Sequence, residues 1–156
     1  MVLLIPLQCL SHPSRISDWI YLGDCENARN NEDIKLLNIK YILNCAKGVK
    51  LDNIPDGIKY CHLKLIDDPH QYILLDLYKA FAFIELARES QSNILIHCRY
   101  GISRSVSILI AYIIKFYGLS VDNALRFIRT KRKQAEPNYG FMHQLHIYER
   151  YLQATY

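Results

Sequence analysis

NILIHCRYGISRSVSILI, residues 93–110, decides the fold. An apolar run, Asn93–His97, reads as a strand buried on both faces, and Val106–Phe116 reads as a helix apolar all round. Between them the chain places a cysteine, two arginines, a glycine and two serines within eight residues, Cys98 to Ser105. A core has no use for these side chains; a bound phosphate does. A strand that passes through a short loop into a helix is the unit of an α/β sheet, whose site lies beyond the carboxyl end of a strand.

Further out, Trp19–Leu22, Ile39–Cys45 and Lys59–Leu65 read as additional strands. Leu74–Arg88, Ala124–Arg132 and Phe141–Leu152 have helical spacing, with Ser120, Asp122 and Asn123 offering a cap for the second of these. Short turn signals separate them, among them Gly23-Asp24, Asn30-Asn31, Lys47-Gly48, Pro55-Asp56-Gly57 and Pro137-Asn138. Strands alternating with helices imply a mostly parallel sheet with helices on both faces. There is no internal linker or repeat, so residues 14–156 are expected to form one domain and residues 1–13 an N-terminal arm.

The 156 residues carry a net charge of +4, unevenly spread. Residues 99–133 hold eight basic side chains and one acid, which makes that segment +7 and the remainder −3. This polarity suits an anionic ligand. Taken alone, Arg126–Lys133 reads as the solvated face of a helix. The five cysteines (Cys9, Cys25, Cys45, Cys61 and Cys98) show no C-x-x-C, so neither a zinc site nor a secreted disulfide framework is indicated. His143 and His146 share a helix face as a metal pair could, but two histidines make a weak site, so no metal is expected. The opening MVLLIPLQCL lacks a basic n-region, is too short to span a bilayer, and reads as a strand or packing arm. A reducing, cytoplasmic compartment with access to the nucleus is the expectation.

The loop has a chemistry of its own. It lies over a helix N-terminus, where unpaired N–H groups and the helix dipole attract an anion. Gly101 permits the tight turn that aims backbone N–H groups inward. Arg104, six residues after Cys98, offers a planar fork matched to two phosphate oxygens. Such surroundings favour the thiolate of Cys98, and Ser105 can hydrogen-bond the sulfur. Phosphate contacts are thus expected from the loop 99–104 (Arg99, Tyr100, Gly101, Ile102, Ser103 and Arg104), and His97 is expected to position the loop.

His97-Cys98-x-x-Gly101-x-x-Arg104-Ser105 resembles the signature of the cysteine-dependent protein tyrosine phosphatases, and Gly-x-Ser-Arg-Ser resembles their dual-specificity branch. Trp19–Gly23, Tyr41–Asn44, Ala111–Ile114 and Pro137–Leu145 extend the similarity over most of the chain. The resemblance implies a central, mostly parallel five-stranded sheet with helices on both faces. It implies hydrolysis of phosphotyrosine and phosphoserine/threonine through a phosphocysteine on Cys98, with no cofactor. It also implies an acid on a loop about 30 residues upstream of the cysteine. Within Leu65–Pro69, Asp67 stands 31 residues before Cys98 and two before Pro69, which is the family spacing; Asp68 is the rival, and one of the two is expected to form an Asx turn. Phosphorylated proteins, signalling kinases among them, are the implied partners, met by a monomer without nucleic acid or a membrane span.

By the same resemblance Cys45 ends a strand beside the one ending at Cys98, where it is either a resolving thiol for oxidised Cys98 or a buried structural one. Cys61 should sit lower in the sheet. Arg99-Tyr100 replaces the small residues common in this branch, and the pair either lines the mouth of the loop or points away from it. An inositol phospholipid phosphatase, an RNA 5′-phosphatase and a non-catalytic phosphate binder are the alternatives.

Overall fold

The computed structural model describes residues 12–156. The expectations for residues 1–11, including the arm and Cys9, lie outside the described residues.

Five strands form one sheet in the order β1-β2-β5-β3-β4: β1 (Ser14–Arg15), β2 (Ile20–Gly23), β3 (Ile39–Ala46), β4 (Lys59–Leu65) and β5 (Asn93–His97). Only the edge pair β1/β2 is antiparallel. The sheet is therefore mixed and mostly parallel. Its central strands β3 and β5 are buried almost throughout, which is why both read as near-continuous apolar runs.

Two helices cover one face: α1 (Cys25–Arg29) and α2 (Asn31–Leu36), over Tyr21, Ile42 and Leu95. Four cover the other: α3 (Leu77–Glu89), entered through a 3₁₀ turn at Leu74–Asp76, then α4 (Arg104–Tyr117), α5 (Val121–Lys131) and α6 (Tyr139–Thr155). The expected helix over Leu74–Arg88 therefore begins as a tighter turn. α4 lies in the centre with all but its last turn buried, and this follows from its apolar composition. Its Tyr112 hydroxyl donates to Glu85 Oε1 of α3 at 2.6 Å, so this buried polar tip is satisfied.

The pairs Gly23-Asp24 and Asn30-Asn31, read as turns, in fact start helices. Asp24 caps α1 by accepting from the Asn27 N–H at 2.8 Å, and Asn30 caps α2 by accepting from the Asp33 N–H at 3.2 Å. Of the residues offered as a cap for α5, Ser120 performs it, and the helix begins at Val121 rather than Ala124.

Candidate active site

Parallel pairing brings the carboxyl ends of β2, β5 and β3 to one edge. Gly23 and Asn44 both register with His97, the last residue of β5. The chain then runs through residues 98–103 into α4. Ser103 occupies the N-cap of α4, yet its side chain makes no cap bond; its Oγ accepts from the Asn138 N–H at 2.9 Å. No side chain of the cap therefore takes up the first N–H groups of α4, which stay turned toward the loop.

Cys98 is buried at the base of this loop, with Sγ 3.1 Å from Ser105 Oγ and 3.2 Å from the Gly101 N–H that donates to it. The loop carbonyls face away from the sulfur. The carbonyl of Cys98 accepts from His97 Nδ1 at 3.1 Å, that of Arg99 from the Cys25 N–H at 3.1 Å, and that of Ile102 from the Glu136 N–H at 2.8 Å. A trans peptide points its C=O and the following N–H in opposite directions. Each carbonyl held outward therefore turns the next N–H inward, toward the space above Sγ. Gly101 has φ +65°, and a Cβ there would collide with Gly23 of β2 and with the guanidinium of Arg132.

His97 is fully buried, and burial pushes its imidazole down to about 4. The ring is therefore neutral at pH 7, and its Nδ1–H donates to the Cys98 carbonyl. In the unfolded chain this histidine takes a proton near pH 6.5, whereas the folded protein refuses it until about pH 4. Stability is therefore complete above pH 6.5 and falls as the pH drops toward 4, by up to about 3 kcal/mol. Urea midpoints measured at pH 7 and pH 5 should separate in the parent protein and draw together in His97→Gln. Parallel pH dependences would show that another group carries the effect.

Arg104 is buried beneath the loop. Its Nη1 donates to the Leu65 carbonyl at the end of β4 at 3.2 Å, while its Nε is buried with no hydrogen-bond partner among the described residues. A guanidinium N–H left unsatisfied in a closed space costs stability unless a ligand takes it up.

The two aspartates have separate tasks. Asp68 forms the Asx turn, accepting from the His70 N–H at 2.7 Å. Asp67 Oδ1 accepts from Asn138 Nδ2 at 2.9 Å, and the Asn138 N–H is the donor to Ser103. Asn138 thus ties Asp67 to the loop 98–103 while its own Oδ1 caps α6. Gln144 holds the same segment a turn further on, accepting from the Ile73 N–H and donating to the Gln71 carbonyl. Gly140 lies against the Pro69 carbonyl, and a Cβ there would collide with it. Neither Asn138 nor Gln144 was singled out from sequence as a site residue; a polar side chain at a helix entry gives no hint of a partner some 70 positions away.

Arg99 and Tyr100 are both exposed at the mouth. Arg99 leans on the turn after β3, with Nη2 donating to the Gly48 carbonyl at 3.4 Å, and Tyr100 is 65% exposed. An open cleft of about 610 Å³ runs from Asp67, Ile102 and Ser103 to Arg129 and Tyr139. Cys45 is fully buried one residue beyond Asn44, beside Cys98, and burial pushes its thiol well up. Cys61 registers with Leu43, lower in the sheet. His146 lies within 3.7 Å of Asp122 and 3.4 Å of Glu149.

Residues 20–151 match the family described as dual specificity phosphatase, catalytic domain. The chain belongs to this family. Among curated relatives, the Protein phosphatase Slingshot homolog of Xenopus laevis is 34% identical over 98% of this chain, and human Protein phosphatase Slingshot homolog 1 is 36% identical over 98%. The chain spans only 22% and 14% of the lengths of those two proteins. The crystal structure of human DUSP28 superimposes with a TM-score of 0.86 at 29% identity, covering 92% of this chain and 99% of that one. The α/β fold expected from residues 93–110 is thus that of the dual specificity phosphatases.

Proposed function

We propose that this domain hydrolyses phosphotyrosine and phosphoserine/threonine in proteins through a phosphocysteine intermediate. One observation carries the reading: a buried thiol faces inward-turned amides, with a buried arginine N–H left to be satisfied by an oxyanion. In the first step the Cys98 thiolate attacks phosphorus in line. The bond from phosphorus to the serine, threonine or tyrosine oxygen breaks, and Asp67 gives that oxygen its proton. The loop amides and Arg104 hold the three equatorial oxygens as charge spreads over them. In the second step Asp67, now a carboxylate, takes a proton from water. The water oxygen bonds to phosphorus and the S–P bond breaks, with the Ser105 hydroxyl donating to the departing thiolate. Every step uses this chain's own side chains and water.

Phosphorylated proteins, kinases among them, are the proposed substrates of a monomeric enzyme in the cytoplasm and nucleus. The test is turnover of para-nitrophenyl phosphate, phosphoserine and phosphotyrosine peptides and inositol phospholipids side by side. Phosphopeptides should be the best biological substrates. Lipid turnover equal to theirs would overturn the protein-substrate reading, and absence of all turnover would leave a phosphate binder.

Cys45 supports a redox extension of the same site. Peroxide oxidises the Cys98 thiolate to a sulfenic acid; attack by the Cys45 sulfur then forms a disulfide and releases water, and a thiol reductant restores both cysteines. Burial holds Cys45 protonated at rest, so this second step should be the slow one. After mild peroxide, peptide mass spectrometry should find Cys45 joined to Cys98. Reductant should then restore activity in the parent and poorly in Cys45→Ser. Equal recovery in both would leave Cys45 as a structural thiol.

A further inference from the structure

Five consecutive loop carbonyls, those of residues 98 to 102, are held from behind, and three of the donors have been named. The remaining two carbonyls lie in the middle of the loop and share one donor. Arg132, the residue just past α5, is 3% exposed although it stands within the most basic stretch of the chain. Its Nε donates to the Gly101 carbonyl at 2.7 Å, its Nη2 to the Tyr100 carbonyl at 3.3 Å, and its Nη1 to Ser14 Oγ of the edge strand at 3.1 Å. The expectation of a solvated basic face thus fails at this position. Val121, Leu125, Ile128 and Arg132 follow one another at helical spacing, and the stripe that buries the first three carries the fourth inward.

We propose that Arg132 is a positioning residue for the catalytic loop, its guanidinium fixing the outward direction of the Tyr100 and Gly101 carbonyls. The inference rests on reading residues 98–104 as a phosphate-binding loop. With those two carbonyls turned out, the N–H groups of Gly101 and Ile102 must turn in. The first is seen on Cys98 Sγ. The other donors to the loop carbonyls are the adjacent ring of His97 and two backbone amides of neighbouring segments. Arg132 alone brings a formal charge, and it is held there buried, on neutral acceptors. It never reaches the substrate, since the loop backbone stands between. Its contribution is to keep two donors aimed before phosphate arrives, which spares the transition state their reorganisation.

Arg132→Met, Arg132→Lys and, as a control for loss of surface charge, Lys133→Met are to be compared with the parent. The measurements are the inhibition constant of tungstate, a non-covalent tetrahedral dianion; the pH midpoint of Cys98 alkylation by iodoacetamide; kcat and KM; and the melting temperature. Arg132→Met should weaken tungstate about tenfold or more, because two charge-assisted hydrogen bonds are lost, and should raise the alkylation midpoint and lower kcat more than it changes KM. Arg132→Lys keeps the charge but reaches one carbonyl, so it should recover part of each loss; Lys133→Met should match the parent. If Arg132→Met does not fold, Arg132→Lys carries the test, with tungstate and alkylation as the deciding measurements. A folded Arg132 variant that binds tungstate and is alkylated as the parent is, with only its melting temperature lowered, would reduce Arg132 to a structural role. A parent chain that fails to bind tungstate would instead sink the reading of the loop itself.

Discussion

Replacing Cys98 with serine should abolish turnover, by roughly 10³-fold or more, while leaving the anion site intact. The prediction follows from what surrounds the sulfur. The Gly101 N–H and the Ser105 hydroxyl both lie within hydrogen-bond reach of it. A serine hydroxyl in the same place has no ionised form to offer at neutral pH. On the proposed mechanism the phosphate contacts come from the loop amides and Arg104, so tungstate should still bind Cys98→Ser with near-parental affinity by calorimetry. Retention of more than about a few per cent of the para-nitrophenyl phosphate activity would exclude the phosphocysteine route.

Asp67→Asn should slow hydrolysis of phosphoserine peptides by roughly 10²-fold or more, and Asp68→Asn far less. The two side chains are adjacent, but their partners differ. Asp68 spends its carboxylate on the His70 N–H and keeps the turn in shape. Asp67 is tied through Asn138 to Ser103, a residue of the catalytic loop. An alkoxide is a poor leaving group and needs the proton; para-nitrophenolate leaves with little help. The loss should therefore shrink on para-nitrophenyl phosphate. A larger loss in Asp68→Asn, or an equal loss on both substrates, would remove Asp67 from the proton-transfer step.

What the sequence revealed and what it hid both have physical reasons. The run 93–110 was legible because burial on two faces and a polar interruption leave opposite marks in neighbouring residues. Helices α1 and α2 were not, since five and six residues are too few to show a period. Their capping residues Asp24 and Asn30 are the same types that make turns, and only the hydrogen bonds to Asn27 and Asp33 tell the two apart. Arg132 was hidden by its charge, which outweighed its place on the apolar stripe of Val121, Leu125 and Ile128. The choice between Asp67 and Asp68 could be ranked by the distance to Pro69, but the separate partners of the two carboxylates belong to three dimensions alone.

A cup whose carbonyls are all fastened from outside has one form, whatever fills it. On the proposed function it measures a tetrahedron of oxygens with two negative charges and is indifferent to the molecule that carries them. Phosphate freed by the reaction fits the cup as the ester did, so the enzyme should be slowed by its own product. On the proposed function, choice among phosphoproteins falls to the rim, where Arg99, Tyr100, Ile102 and Tyr139 face solvent. Two relatives could then exchange these rim side chains and trade substrates with their chemistry untouched.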